Sequence, residues 1–211
     1  MTTTTVDVTA HWDNIYTTTR IDQTGWFEAD PRVSLDLIER CELAPDALIA
    51  DIGCGNSTLI PALLHSGHRN LAAVDISSVA LDALRRRLGP GARDVRFIRD
   101  DMAAPDAIFS LGVIDLWHDR AMLHFLTLPA DRERYRAAME RAVAPGGYAI
   151  IGEFADNGAE QCSGLPVERY DEDALDRLFG PAFERLEALR YVYTQPSGDV
   201  RPYVYTRYRR C

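Results

Sequence analysis

The sequence predicts one α/β domain with a mostly parallel, doubly wound sheet and helices on both faces of that sheet. Three observations lead to this fold class. From residue 47 onward, short apolar runs alternate with helical stretches, which is the pattern of βαβ units. The 211 residues suit a single domain, and a hydrophobic content of 46% is enough to form its core. Near the end of the chain, two runs in which apolar and polar residues alternate flank Pro196-Ser197-Gly198-Asp199. This pattern predicts an antiparallel hairpin.

The elements before the sheet are predicted to be helical. Residues 1–10 are polar and rich in threonine, so we expect a disordered tail. Trp12 and Tyr16 lie four residues apart, and a helix would place their rings on one face. The apolar residues within 33–38 follow the spacing of a second helix. Residues 11–45 therefore form a helical segment that precedes the sheet.

Five strands and the helices between them form the predicted core. Each strand is a short apolar run, and each helix repeats apolar residues at helical spacing. The strands are expected at 47–52, 71–74, 95–98, 113–117 and 148–154, and the helices at 58–65, 78–88 and 130–143. Pro145-Gly146-Gly147 is interpreted as the turn that leads into the fifth strand. A loop at 155–168, a helix at 171–179 and strands at 183–193 and 202–208 complete the chain.

The charge pattern excludes several classes of function. The net charge is −9, and all 23 basic residues are arginine. Without lysine, the chain can support neither a Schiff-base mechanism nor a P-loop nucleotide site. A net acidic chain without a long basic run also disfavours nucleic-acid binding.

Cysteine usage and hydropathy set the expected compartment. Cys41, Cys54, Cys162 and Cys211 lie far apart and form no C-x-x-C pair, so neither a metal site nor a disulfide framework is predicted. No segment approaches about 18 consecutive apolar residues, and no leader pattern begins the chain. We expect a cytoplasmic protein without membrane contact, as a monomer or homodimer.

A glycine-rich turn follows the first strand, at the carboxyl edge of the sheet where open α/β folds bind ligands. The sequence there is Asp51-Ile52-Gly53-Cys54-Gly55, and glycine lets the backbone approach a ligand closely. Asp75 ends the second strand 22 residues after Gly53, a spacing suited to a carboxylate that accepts both hydroxyls of a ribose. Asp100-Asp101 ends the third strand and adds acid at the same edge.

Two positions distinguish a dinucleotide, which carries a pyrophosphate, from an adenosine ligand without phosphate. Asp51 precedes the first glycine, where it would repel a pyrophosphate but suit an ammonium group. Thr58 stands where dinucleotide-binding chains have a third glycine. The pattern favours an adenosine ligand that carries an amino acid and no phosphate.

With these motifs, the chain from residue 11 to its end resembles the class I S-adenosylmethionine-dependent methyltransferases. The resemblance implies a seven-stranded Rossmann-like sheet whose seventh strand lies antiparallel between the fifth and sixth. It implies that Gly53 and Gly55 line the methionine part of S-adenosylmethionine and that Asp51 orients its amino group, directly or through water. Asp75 would hold the ribose hydroxyls. The residues implied at the adenine are Ile76, Asp101 and Met102.

Two narrower resemblances concern the acceptor. Residues 53–59 together with Asp75-Ile76-Ser77 resemble the eukaryotic protein-lysine methyltransferases of elongation factors and citrate synthase. Those enzymes have Asp-Lys-Gly after the fourth strand, whereas this chain has Asp119-Arg120-Ala121. The Trp12-Asp13-x-x-Tyr16 pattern and the Trp26-Phe27 pair are similar to thiol, thiopurine and metalloid methyltransferases, in which aromatic N-terminal residues close over the cofactor.

Residues after the fourth strand are candidates for catalysis. His118 could remove a proton from the acceptor, or it could pack on the cofactor. Asp119 could orient or accept a charge, or it could cap the short helix that follows. Arg120 is a candidate for binding the acceptor.

The N-terminal aromatic residues are candidates for a lid. Trp12 and Trp26 are expected to contact the cofactor, and Tyr16 is expected to contact the acceptor, with rings that attract a sulfonium cation and exclude water. Ordinary packing of an N-terminal helix on the sheet is the alternative.

The loop at 155–170 is a candidate substrate loop because loops of this length are usually functional. Cys162 could contact a soft acceptor such as a thiol or metalloid, or it could be a small packed residue. Arg169 could receive a carboxylate, or it could pair with the acidic run at 171–173.

Together, the motifs predict an enzyme that transfers a methyl group from S-adenosylmethionine to an oxygen, nitrogen or sulfur atom of a small-molecule acceptor, without a metal. S-adenosylhomocysteine would be the second product. Protein-lysine methylation and thiol or metalloid methylation are the alternatives. From another class, the chain could be a non-catalytic subunit that binds S-adenosylmethionine.

Overall fold

The computed structural model describes residues 6–211 and contains the central sheet that the sequence predicts. Its α-helices are α1 (Val8–Thr18), α2 (Arg32–Glu39), α3 (Leu59–His65), α4 (Ser78–Leu88), α5 (Pro129–Ala142) and α6 (Glu172–Phe179). Its strands are β1 (Ile49–Ile52), β2 (Leu71–Asp75), β3 (Val95–Arg99), β4 (Ile114–Arg120), β5 (Val143–Phe154), β6 (Gln161–Cys162), β7 (Leu165–Pro166), β8 (Phe183–Thr194) and β9 (Val200–Arg210). In the part of the chain that the structure describes, every helix is too short or too polar to cross a bilayer.

Seven strands form one sheet in the order β3-β2-β1-β4-β5-β9-β8. Neighbours from β3 to β5 pair in parallel, whereas β9 pairs antiparallel with both β5 and β8. Counted along the chain, β5, β8 and β9 are the fifth, sixth and seventh strands of this sheet. The seventh strand, β9, therefore lies between the fifth and the sixth. The expected seven-stranded Rossmann-like fold is confirmed, and the predicted C-terminal hairpin is the β8–β9 pair.

Both faces of the sheet are covered by helices. Alternate residues of a strand point to opposite faces, so Ile49 packs with side chains of α2, α3 and α4 while Ile52 packs with side chains of α5 and α6. All four residues of β1 are buried. A parallel strand that is buried on both faces has a nearly continuous apolar sequence, which explains why short apolar runs predict these strands.

The first helix starts earlier than the sequence predicts. Asp7 caps α1 by accepting a hydrogen bond from the amide of Ala10 at 3.0 Å, so the helix begins at Val8. The expected tail at 1–10 therefore ends before this residue, and its first five residues lie outside the described part of the chain.

The fifth strand also starts earlier than predicted. Ile114 of β4 pairs with Val143, whereas Leu116 pairs with Tyr148. The segment Pro145-Gly146-Gly147, in which Gly146 has a φ of 79°, therefore interrupts the pairing inside β5, and the regular ladder with β4 resumes at Tyr148.

A small hairpin, β6–β7, lies in the loop at 155–170 and is not predicted from the sequence. Cys162 of β6 pairs with Leu165 of β7. Strands of two residues are too short to show an alternating pattern.

A chain of polar side chains lies inside the core between β4 and α5. The indole Nε1 of Trp117 donates to the hydroxyl of Tyr135 at 2.8 Å, and this hydroxyl donates to Oδ2 of Asp119 at 2.7 Å. All three side chains are fully buried. Because a buried polar group without a partner is costly, the hydroxyl of Tyr135 stabilises the contact between the sheet and α5.

We predict that Tyr135→Phe lowers the free energy of unfolding by about 1–3 kcal/mol, because it leaves the Trp117 indole without an acceptor and removes a donor to Asp119. Urea unfolding measures this difference. Tyr148→Phe is the control, since Tyr148 is only half-buried in β5, and we expect it to change the free energy by less than about 0.5 kcal/mol. Equal losses in the two variants would contradict the role of the Tyr135 hydroxyl.

Candidate active site

The carboxyl ends of β1, β2 and β4 meet at one edge of the sheet because these neighbouring strands are parallel. Asp51 of β1 lies opposite His118 of β4, and Asp75 ends β2. The glycine-rich turn at 53–55 follows β1 directly. The structure thus brings together the residues of the first two sequence motifs.

Asp51 is buried and uses both of its carboxylate oxygens. Its Oδ1 lies 2.8 Å from Nδ1 of His118, and its Oδ2 accepts a hydrogen bond from the hydroxyl of Ser57 at 2.7 Å. The other ring nitrogen of His118 lies 2.9 Å from Oγ of Ser34 in α2. Asp51, His118 and Ser34 therefore connect β1, β4 and α2 through buried polar contacts.

The turn after β1 has glycine where the backbone has positive φ. Gly53 has a φ of 62° and Gly55 a φ of 54°, a region that disfavours other residues. A Cβ at Gly53 would overlap Met122, and one at Gly55 would overlap the hydroxyl of Tyr16. The amide of Gly55 also donates to Oδ2 of Asp75 at 2.7 Å, which fixes the turn against the end of β2.

Asp75 is a buried acid at this edge. Its Oδ1 accepts a hydrogen bond from the amide of Ser77 at 2.8 Å. Burial raises the pKa of Asp75 to about 6, although the amides of Gly55 and Ser77 act in the opposite direction. Oγ of Ser77 lies 2.5 Å from Oδ1 of Asp13, so α1 is held at the end of β2.

Four aromatic rings cover the edge. The ring centre of Trp12 lies 6.1 Å from that of Tyr16, 5.7 Å from that of Trp26 and 4.9 Å from that of Phe125. Burial raises the pKa of Tyr16, and the Asp75 carboxylate raises it further. Phe125, which lies in the 3₁₀ turn after β4, is not among the residues predicted from the sequence. Its one sequence signal is that it follows a strand ending at this edge.

Two adjoining cavities open here and share Gly53, Trp26 and Arg120 in their walls. The smaller cavity has a volume of about 500 Å³, counted out to its opening into solvent, and its wall includes Asp51 and His118. The larger cavity has a volume of about 980 Å³ counted in the same way. Further candidate residues in its wall are Trp12, Tyr16, Asp75, Ile76, Asp101, Met102 and Cys162. The walls of these two cavities do not include Gly55, Asp119 or Arg169.

The structure corrects the expected catalytic role of Asp119. Its side chain is fully buried beneath the site, where it accepts hydrogen bonds from Tyr135 and, at 3.1 Å, from the amide of Met122. Burial raises the pKa of Asp119, and the neighbouring Glu153 carboxylate raises it further. Asp119 therefore caps the turn after β4, which is the alternative that the sequence left open.

His118 lies beside the smaller cavity but is poorly placed to act as a base. Both of its ring nitrogens are within hydrogen-bond distance of protein groups, Asp51 and Ser34. A base needs one free nitrogen within reach of the acceptor. The geometry therefore favours a positioning role for His118 over proton removal.

Arg120 lines both cavities, but its guanidinium is already bonded within the protein. Nη1 donates to the carbonyl of Trp26 at 2.8 Å, and Nε donates to the hydroxyl of Tyr205 at 2.9 Å. Nη2 lies 3.1 Å from Oε1 of Glu28. Arg120 was expected to bind the acceptor. In the structure its guanidinium instead contacts other residues of the protein.

The two candidates in the loop at 155–170 have different positions. Cys162 stands in the wall of the larger cavity. Arg169 is exposed and lies 3.3 Å from Glu160, so it pairs neither with a substrate in these cavities nor with the acidic run at 171–173. The acidic run was expected as the partner of Arg169 because it is adjacent in sequence. Glu160 is the partner instead, because the β6–β7 hairpin folds it back toward Arg169.

Similar sequences are methyltransferases. A sequence model described as a methyltransferase domain matches residues 49–147, which extend from β1 into β5. EEF1A lysine methyltransferase 2 of Danio rerio is 26% identical over 194 residues, which cover 85% of this chain and 76% of that protein.

Solved structures share the fold over nearly the whole chain. A SAM-dependent methyltransferase from Anabaena variabilis has a TM-score of 0.79 at 16% identity, over 98% of this chain and 96% of that one. The N-methyltransferase NodS from Bradyrhizobium japonicum, in complex with S-adenosyl-L-homocysteine, has a TM-score of 0.70 at 14% identity, over 97% and 99% of the two chains.

We predict that Ser34→Ala lowers the free energy of unfolding by about 1–3 kcal/mol, because it leaves one nitrogen of the buried His118 ring without a partner. Urea unfolding measures the loss. Ser66→Ala is the control, since the exposed Ser66 bonds only to the carbonyl of Ala62 within α3, and we expect a change below about 0.5 kcal/mol. If Ser34→Ala were as stable as this control, the contact between α2 and His118 would not contribute.

Proposed function

Because this chain is a class I S-adenosylmethionine-dependent methyltransferase, we propose that it transfers the methyl group to an oxygen, nitrogen or sulfur atom of a small-molecule acceptor. The larger cavity is the observation that carries this proposal. Aromatic rings from the N-terminal segment cover it, and it reaches from Asp75 at the sheet edge to Cys162 in the loop. Such a covered space suits a compact molecule better than a protein surface.

The residues at this edge fit S-adenosylmethionine in charge and in space. Asp51 suits an ammonium group and would repel a pyrophosphate, and Asp75 suits ribose hydroxyls. Gly53 lies in the wall that both cavities share, where it presents backbone without a side chain. We assign the methionine end to the smaller cavity. The adenosine end then belongs to the larger one, beside Asp75, Ile76, Asp101 and Met102.

The bound cofactor supplies a methyl group on a positively charged sulfur. The chain contributes aromatic faces at the shared wall, chiefly those of Trp12, Tyr16 and Trp26, which favour a cation and exclude water. Asp75 orients the cofactor through the ribose hydroxyls. With His118 and Asp119 engaged internally, orientation of an acceptor that arrives deprotonated is the main contribution that this site can make.

The acceptor would lie in the larger cavity beyond the aromatic rings. The walls there include Met122, Phe125, Leu126 and Cys162, which are apolar except for the thiol. The charged side chains of this wall are already engaged. Arg120 is paired with Glu28 and Asp131 with Arg134, Asp100 accepts hydrogen bonds from backbone amides, and Asp75 and Asp101 are assigned to the adenosine. These surroundings favour an uncharged acceptor with an apolar body. Because Cys162 lines the cavity, a thiol remains among the acceptors that we propose.

Protein-lysine methylation is the second candidate function. The similarity to EEF1A lysine methyltransferase 2 favours it. Against it stands Arg120, which replaces the lysine of the Asp-Lys-Gly segment and bonds to the carbonyl of Trp26.

A labelled-methyl experiment separates the two candidates. Purified protein is incubated with methyl-labelled S-adenosylmethionine and a cell lysate that is afterwards divided into small molecules and protein. We expect label in a small-molecule product that separates from S-adenosylmethionine and exceeds the background of lysate alone, and no such excess with an Asp75→Ala variant. Label in lysine of the protein fraction would contradict the proposal, and it would belong to another protein because this chain contains no lysine.

We predict that the affinity for S-adenosylhomocysteine falls as the pH decreases through about 6, because the pKa of Asp75 lies there and its protonated form is a poorer acceptor for the ribose hydroxyls. Calorimetric titrations on both sides of this pH measure the change. Asp75→Asn should bind about tenfold more weakly above that pH and lose most of the dependence. Asp82→Asn, at an exposed position of α4, should behave as the wild type. A flat profile in the wild type would contradict the assignment of Asp75.

A further inference from the structure

Residues 24–28, the Trp26 segment, lie between α1 and α2 and contain no helix or strand. Three successive carbonyl oxygens in this segment accept hydrogen bonds from side chains elsewhere in the chain. The pairs are Nε2 of Gln195 with Gly25 at 2.9 Å, Nη1 of Arg120 with Trp26 at 2.8 Å, and the hydroxyl of Tyr193 with Phe27.

The three donors come from distant elements. Arg120 ends β4, Tyr193 lies near the end of β8, and Gln195 follows that strand. Irregular backbone has no repeating pattern to satisfy its own carbonyls, so such groups need external partners when they are buried. The sheet and its C-terminal hairpin therefore fix the backbone of an N-terminal segment.

Arg120 is itself held by the tyrosines of the hairpin. Its guanidinium lies 5.2 Å from the ring centre of Tyr193 and 4.9 Å from that of Tyr203. The hydroxyl of Tyr205 accepts from Nε, and the side chain of Arg120 is 11% exposed. A planar guanidinium with these partners has little freedom to turn away from the carbonyl of Trp26.

The segment carries the Trp26 ring, which packs on Trp12 and Tyr16 and lies in the wall shared by the two cavities. We propose that Arg120, Tyr193 and Gln195 are positioning residues that hold Trp26 over the cofactor site and thereby set the affinity for the cofactor. The identity of the occupant rests on the proposed function, whereas the restraint on the segment does not.

The restraint affects binding because it sets the fraction of molecules in which the Trp26 ring lies over the cofactor site, which we call the closed arrangement. A ligand that needs Trp26 in place binds with an apparent affinity reduced by the fraction of molecules in which the ring has moved away. One hydrogen bond of this kind shifts such an equilibrium by a factor of about five to ten.

Three variants test the proposal. Tyr193→Phe removes one hydroxyl and keeps the ring beside Arg120. Tyr191→Phe is the matched control, since Tyr191 lies two residues earlier in β8 and packs on Tyr205 instead of the Trp26 segment. Gln195→Ala removes a second donor at a half-buried position outside the sheet, where a folding defect is least expected. Thermal unfolding establishes that each variant is folded.

Two measurements are made on each protein: the Kd of S-adenosylhomocysteine by calorimetry, and hydrogen exchange of the amides in the Trp26 segment without ligand. The factor by which the Kd rises and the factor by which exchange speeds multiply to the shift in the equilibrium, so Tyr193→Phe and Gln195→Ala should each change both quantities about two- to threefold, with exchange in β1 and β4 unchanged. Tyr191→Phe should match the wild type in both measurements.

Wild-type values for the Kd and for exchange in Tyr193→Phe and Gln195→Ala would overturn the proposal. Faster exchange in the segment with an unchanged Kd would overturn its link to the cofactor. If the wild type itself bound no S-adenosylhomocysteine, the proposed function would fail, and exchange in the ligand-free protein would still decide whether these residues restrain Trp26.

Discussion

The contact between Asp51 and His118 is the interaction on which the candidate site depends. The parallel register of β1 and β4 sets the two side chains opposite each other, with Oδ1 and Nδ1 2.8 Å apart. Both groups are buried, and burial makes the loss of either partner costly. Because Ser34 occupies the second ring nitrogen of His118, the same contact aligns the turn at Gly53, the end of β4 and the start of α2.

An enclosed site at this edge requires the N-terminal part of the chain. Open α/β sheets leave a crevice beyond the ends of their strands, and here α1 and the Trp26 segment cover it. Polar contacts hold this cover in place: Asp13 with Ser77, and the carbonyl of Trp26 with Arg120. The site therefore combines a floor of rigid strand ends with a wall from a separate segment. We assign recognition of the methionine and ribose parts of the cofactor to the floor, and closure over the cofactor together with the choice of acceptor to the wall.

The features that depend on local pattern could be predicted from the sequence, and those that depend on distant partners could not. β1 and Asp75 follow from apolar runs and spacing, because a buried parallel strand and its end leave a continuous signal. Asp119 and Arg120 are adjacent on β4 and point to opposite faces. What meets them there, Tyr135 of α5 and the carbonyl of Trp26, is far away in sequence. The choice between their possible roles was therefore accessible only from the fold.

The central claim is that this acidic, glycine-lined edge of the sheet holds an adenosine ligand that carries an amino acid with its ammonium group and no phosphate. Calorimetric titration of the purified protein with S-adenosylhomocysteine, and separately with a nicotinamide dinucleotide, tests it most directly. The account predicts saturable binding of S-adenosylhomocysteine at one site and no binding of the dinucleotide, whose pyrophosphate Asp51 would repel. Absence of S-adenosylhomocysteine binding, or equal affinity for the dinucleotide, would contradict it.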